Sequence, residues 1–338
     1  MEFITKIEIP RSAYTLSHQD KLIMFGSCFA ENIGELLLQN KFDVNLNPFG
    51  ILYNPSSISE SINRILDKKL FTNEDVFEYR GLYQSFSHHG RFSDVDKDKC
   101  LEKINASLQT AIAGIFEADF LFITFGTSYV YELKENSKIV GNCHKLPSSS
   151  FSRYRLSIDT IVRDWTILIE RLKENNPTLK IIITVSPIRH LKDGAHENQL
   201  SKSILLLAVD RLCGRFDNVF YFPSYEIVLD ELRDYRFYGE DMIHPNNLAI
   251  KYIWNKFSET FFSKETHLII KEWNKISAAI NHRPINQNTQ DYKHFLNQTI
   301  LKLDTFKTKY PYICCSAEYN ELESRLQNSD EIFDSRNS

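Results

Sequence analysis

Apolar and polar positions along this 338-residue chain fall into two rhythms. Short, almost wholly apolar runs at residues 22–25, 119–125 and 179–185 read as strands buried on both faces, with 219–222 as a short last one. The run "LKIIITV" is the richest in β-branched residues. Residues 43–47, stopped by Pro48, make a further strand. Elsewhere apolar residues recur every third or fourth place, which predicts helices over 30–39, 98–116, 157–175, 199–213, 246–262 and 268–280. Another helix starts at Pro55 and carries Ile58, Ile62, Ile65 and Leu66 at helical spacing. Alternation predicts one hairpin over 76–86, turning at Gly81, and a second from 129–133 and 138–142. From about Ile285 the chain becomes polar, with amphipathic helical pieces near 292–310 and 318–326.

Apolar strands alternating with helices predict an α/β domain with a mostly parallel sheet covered on both faces. This domain takes residues 1–284, and 285–338 form a helical C-terminal extension. Sites in such sheets lie beyond the carboxyl ends of the strands. Four places follow: residues 26–29, 126–129, 186–190 and the loop after Phe222.

Composition narrows the class. The hydrophobic fraction of 42% and charged fraction of 25% are ordinary for a globular chain, and the net charge of −4 offers no footprint for nucleic acid. The 24 Phe and 16 Tyr point to a well-packed core and aromatic-lined clefts. The N-terminus lacks a basic segment followed by an apolar core, and no apolar run approaches the ~20 residues that cross a bilayer. No secretory signal and no membrane partner are expected. The six cysteines are scattered without a CxxC pair, which fits reduced thiols in a cytoplasm.

The candidate chemistry sits at the strand ends. In "FGSCFAENIG" an apolar strand stops at Gly26, and Ser27 and Cys28 open a helix. A Ser hydroxyl there lies beside unpaired helix N–H groups, which favour a developing oxyanion. Ser is equally a preferred helix cap, and Cys more often a small buried hydrophobe. In "GEDMIHP", Asp241 stands three residues before His244. A carboxylate at that spacing accepts from imidazole Nδ1–H and leaves Nε2 to take a proton from a hydroxyl. An isolated DxxH is also an ordinary Asp turn before a proline-started helix. Three polar clusters suit an anionic or polyhydroxyl ligand: His88, His89 and Arg91; Asn142, His144, Lys145 and Arg153; Arg189, His190, Lys192 and Asp193. No HxxxH or CxxC spacing supports a metal, and no cofactor is expected.

The run "GSCFAENIG" resembles the one that names the GSCFA family, which belongs with the SGNH (GDSL-like) hydrolases, and the chain looks like the Bacteroidetes-type branch of that family. The resemblance covers roughly Ile4 to Phe262 through "NPFGILYNP", "ITFGTSYVYEL", "NCHKLP", "VSPIRHLKDGAHENQLSK" and "YFPSYEIVLDELRDYRFYGEDMIHP". It implies a flavodoxin-like three-layer α/β/α fold, here with hairpin insertions. It implies Ser27 as nucleophile and Asp241 with His244 as the DxxH pair. Gly50 matches the Gly whose N–H helps form the oxyanion hole, beside the N–H of Ser27 or Cys28. The third block normally reads GxxN; Gly126 fits, but Tyr129 stands where Asn belongs. Thr127, Ser128 and Asn142 are the replacements for that donor.

The resulting expectation is a bacterial serine esterase or deacylase acting on an acyl ester, O-acetyl included, of a hydroxylated or anionic small molecule or carbohydrate. Substrate contacts are expected from His88, His89, Arg91, His144, Lys145, Arg189 and His190. Two rivals share the sequence: an acyltransferase using the same acyl-enzyme, and a non-catalytic ligand-binding protein lacking a working oxyanion hole. Oligomeric state is left open.

Overall fold

A computed structural model describes residues 5–286 and 289–337. Ile4, the first residue of the resemblance, lies outside them, as do Gln287 and Asn288 of the C-terminal extension. In chain order the elements are β1 (Lys21–Gly26), α1 (Cys28–Gln39), β2 (Asp43–Leu46), α2 (Pro55–Leu66), β3 (Phe77–Tyr79), β4 (Leu82–Gln84) and α3 (Lys97–Ile115). Then come β5 (Phe120–Phe125), β6 (Tyr129–Leu133), β7 (Ile139–Val140), β8 (Phe151–Arg155), α4 (Ile158–Asn175), β9 (Lys180–Val185), α5 (Ala195–Arg215) and β10 (Val219–Tyr221). The single turn α6 (Ser224–Glu226), α7 (Asn247–Phe261), α8 (Lys264–Ile280), α9 (Gln290–Lys309) and α10 (Ser316–Asn337) follow.

The chain divides into two compact units. In the first, residues 1–11, 20–37 and 43–260, a five-stranded sheet runs β10-β9-β5-β1-β2, with every pairing parallel. Counted along the chain, that is the flavodoxin-like order 2-1-3-4-5, whose switch point lies between the first and third strands, β1 and β5. β1, β5 and β9 are almost wholly apolar because both faces are covered, whereas the edge strand β2 (Asp43–Leu46) is mixed. Ile23, Phe25, Ile123 and Ile183 face a core built from α2, α3, α4 and α5, where Ile62, Leu108, Trp165 and Ala208 are buried. Met24 and Phe122 face the other way, beside Phe29 and Ile33 of α1, and the Phe122 ring meets Phe257 of α7 at 5.6 Å. The architecture is three-layered α/β/α.

Two insertions depart from the sheet. β3 and β4 form the hairpin expected at Gly81, whose φ of 75° suits the turn. The second expected hairpin is a three-stranded antiparallel sheet, β7-β6-β8. The missed strand β8 follows "LPSSS", whose Pro147 and serines read as loop, yet Phe151 turns inward with Leu133 and Val140. α5 begins four residues before the expected start because its first turn, Ala195–Asn198, holds polar residues that carry no apolar rhythm.

The second unit comprises residues 12–19, 38–42 and 261–338. Ile269, Trp273 and Ile276 of α8 pack with Leu296, Leu303 and Phe306 of α9 and with Leu322 of α10. Trp273 Nε1–H donates to the Gln39 carbonyl at 2.7 Å, and Lys41 pairs with Glu318. Among the described residues, no helix is long and apolar enough to cross a membrane.

Candidate active site

β1 and β5 approach closely where they end. Gly26 has φ 149°, and a Cβ there would stand 2.5 Å from the Thr124 carbonyl oxygen, so only glycine fits. The loop from Asn47 wraps this end of the strand: Asn47 Oδ1 accepts from Gly26 N–H at 2.9 Å, and Leu52 N–H donates to the Gly26 carbonyl at 3.0 Å. Ser27 is thereby set at the switch point and is 1% exposed. Its Oγ accepts from Phe29 N–H at 3.3 Å, and its carbonyl accepts the first α1 bond, from Glu31 N–H at 3.2 Å. The hydroxyl therefore caps the helix, at the place where unpaired N–H groups favour negative charge.

A cavity of about 430 Å³ opens over this point, and its lining brings together Ser27, Cys28, Asn142, Arg189, His190 and His244. His244 reaches it from a tight turn. Met242 has φ 58°, Gly239 N–H donates to the His244 carbonyl at 2.8 Å, and Tyr238 bridges Pro245. Asp241 Oδ1 accepts from the N–H groups of Ile243 and His244 at 2.9 and 3.0 Å. Its Oδ2 accepts from His244 Nδ1–H at 2.5 Å. Those backbone bonds, then the imidazole, hold the Asp241 carboxyl down to about 2. The carboxylate thus fixes the tautomer that leaves Nε2 as acceptor.

Cys28 also lines the cavity, but burial pushes its thiol up, which keeps it protonated at neutral pH. Burial and the neighbouring Lys202 pull His190 down to about 4, so it is a neutral wall residue. Its backbone N–H donates to Asn198 Oδ1 at 2.9 Å.

The expected oxyanion donors separate into engaged and open groups. Gly50, at φ 77°, closes a turn by donating to the Asn47 carbonyl at 2.7 Å, and it does not line the cavity. The N–H groups of Gly126 and Thr127 both donate to the Tyr53 carbonyl, at 2.7 and 3.0 Å. Ser128 is buried with N–H and Oγ both bonded to Ser201 Oγ. The backbone amides of these four expected donors are therefore committed within the fold, which corrects the reading of Gly50, Gly126 and Ser128 as oxyanion donors; Thr127 still lines the cavity, with its hydroxyl beside Ser201 Oγ at 3.1 Å. Cys28 N–H lies in the first helical turn, where no intrahelical acceptor exists. Asn142 Oδ1 accepts from His144 N–H at 2.8 Å, which leaves the side-chain NH₂ as its open end. Tyr129, standing in the GxxN position, lines the cavity with its hydroxyl donating to Glu197 at 2.6 Å.

The expected substrate contacts also divide. Arg189 and His190 line the main cavity. His89, His144 and Lys145 line a separate cavity of about 400 Å³, which shares Asn142 with the first. His88 is 1% exposed, stacked on Phe49 at 4.7 Å and edge-on to Phe71 and Phe92. Burial pulls it down to about 3, and its Nδ1 meets Ser85 Oγ at 3.1 Å. Arg91 is held by Glu31 at 3.1 Å and the Asn47 carbonyl at 2.6 Å, and it lines neither cavity. The placement of His88 and Arg91 is thus corrected from ligand contact to support of the loops.

Three lining residues were missed as such: Tyr53, Tyr129 and Tyr131 wall the main cavity. Lys202, also missed, is 1% exposed. Lys202 Nζ donates to the carbonyls of Gly126 and Ser186, both at 2.6 Å, tying the ends of β5 and β9. Its burial was not readable, because "NQLSKSILL" presents Lys202 as one more polar helix position. Among the described residues no group of three or more His, Cys, Asp or Glu could hold a metal ion.

A model described as the GSCFA family matches residues 21–257, and one described as GSCFA domain protein, C-terminal domain, matches residues 273–328. No curated protein matches the chain. Among solved structures the chain is similar to an acetyl xylan esterase (Est2A) from the rumen bacterium Butyrivibrio proteoclasticus. The TM-score is 0.34 and the identity 10%, over 80% of this chain and 66% of that one, just under two thirds of its length.

Proposed function

The chain belongs to the GSCFA family, and from that premise we propose that it is a serine esterase acting on a polyhydroxylated acyl ester, an O-acetyl sugar included. One observation carries the reading. Ser27, at the switch point, shares one cavity with an imidazole whose Nδ1 is tied to a carboxylate. Ser27 Oγ bonds to the ester carbonyl carbon while His244 Nε2 takes its proton. The carbonyl oxygen becomes an oxyanion facing Cys28 N–H and the Asn142 amide. When the C–O bond to the alcohol breaks, His244 returns the proton to the departing oxygen. Water, activated by the same imidazole, then releases the acid and restores Ser27. Tyr53, Tyr129 and Tyr131 offer aromatic faces and hydroxyls suited to a sugar ring.

The test is turnover of 4-nitrophenyl acetate by the folded protein and by Ser27→Ala. The expected loss is on the order of 10³-fold or more. Turnover retained in Ser27→Ala overturns the reading. A binding module remains the competing account because so many expected oxyanion donors are engaged. It predicts no turnover in the unaltered protein.

A further inference from the structure

We propose that the departing alcohol carries a carboxylate or phosphate, held by Arg189 and Lys192. This rests on the esterase reading of the same cavity. The charged side chains on its wall are Arg153, Arg189, Lys192 and Asp193. Arg153 and Asp193 cancel: they form a two-pronged pair with both contacts at 2.6 Å, and the guanidinium lies 4.0 Å from the Tyr129 ring centroid.

Arg189 and Lys192 have no such partner. Arg189 makes one long hydrogen bond, 3.4 Å to the Tyr238 hydroxyl, and lies 5.5 Å from that ring centroid. Lys192 donates to the Tyr131 hydroxyl at 3.0 Å. Among the described residues no carboxylate pairs with either. A guanidinium offers five N–H donors in a fork that matches an oxyanion, so most of Arg189 is left for a ligand. The cavity wall therefore sets three cations, Arg153, Arg189 and Lys192, against the one carboxylate of Asp193, in a chain whose net charge is −4.

The anion is assigned to the departing half of the ester. Tyr238, whose hydroxyl meets Arg189, pairs its backbone with Pro245, the neighbour of His244. On this assignment Arg189 acts on the half that receives the proton of His244.

The experiment measures kcat/KM for phenyl acetate, 4-carboxyphenyl acetate and 4-acetoxyphenyl phosphate, in the unaltered protein, Arg189→Met and Arg189→Met/Lys192→Met. Intrinsic reactivity cancels when each anionic-to-neutral ratio is compared between proteins. The ratio is expected to fall at least ~10-fold in Arg189→Met and further in the double variant, and to fall with added salt in the unaltered protein. The larger ratio identifies carboxylate or phosphate as the preferred group. A ratio that the substitutions leave alone overturns the proposal while esterase activity stands. Binding of 4-hydroxybenzoate against phenol to Ser27→Ala protein keeps the two claims apart. Preference for the anion that vanishes in the double variant supports the anion site even where turnover is absent. No preference overturns it.

Discussion

Residues 85–92 and 186–198 draw on the same chemical alphabet of histidine, arginine and hydroxyl groups, yet they end in opposite settings. The first run folds into an aromatic box, where His88 is stacked on Phe49 and edge-on to Phe71, and Arg91 braces the loop of Asn47. The second follows β9 directly, and the strand's carboxyl end delivers Arg189 and His190 to the cavity over Ser27. What separates them is their neighbours. Phe86 and Phe92 belong to the first run and Phe92 folds onto His88, whereas Pro187 follows the end of β9 and Gly194 precedes α5, so residues 186–194 connect the two beyond the strand's carboxyl end. Residue type alone does not assign a histidine to a site. Its position relative to a strand end does.

Asn142 sits where the two settings meet, since it lines both cavities. Asn142→Ala is expected to cost about 10²–10³-fold in kcat, about 2.7–4 kcal/mol of barrier, with KM moved much less. Steady-state kinetics on 4-nitrophenyl acetate checks this. A loss confined to KM would place Asn142 among the walls instead of the oxyanion donors.

The smallest expected effect falls on the other side of the comparison. His88→Phe keeps an aromatic ring in the box and removes a buried Nε2 that has no hydrogen-bond partner. The folded state holds His88 at about 3 against an ordinary value near 6.5, so the unfolded chain binds the extra proton between those limits. Stability contributed by the neutral ring is therefore present above pH ~6.5 and lost progressively as pH falls toward 3. Thermal melts from pH 7 to pH 4.5 should show a shallower fall in Tm for His88→Phe than for the unaltered protein. Ester turnover at pH 7.5 should stay within about threefold. An equal fall in both proteins would show that His88 titrates alike in the folded and unfolded chain and would contradict its burial as a neutral ring.

Much of the frame was legible because the physics is periodic. The β1, β5 and β9 runs are apolar on both faces, and their helices carry the 3.6-residue rhythm, so layers and strand ends follow from pattern. Pattern places Ser27 at a strand end and the DxxH pair at a tight turn, but it leaves capping and an ordinary Asp turn open; the family resemblance supplies their catalytic reading. The donors were not. Gly50, Gly126, Thr127 and Ser128 fit a motif, but the fold commits their N–H groups to Asn47, Tyr53 and Ser201, and such long-range bonds leave no trace in spacing. His88 and His89 are adjacent in an irregular loop, so no period says which faces inward. Lys202 looked like a surface helix residue until two strand-end carbonyls were seen to claim it.

The central claim is that Ser27 is the nucleophile, and a fluorophosphonate probe tests it most directly. Intact mass with peptide mapping should show one adduct per folded chain, on the peptide carrying Ser27, absent from Ser27→Ala. An unlabelled folded chain, or an adduct on Cys28 or any other residue, would contradict it.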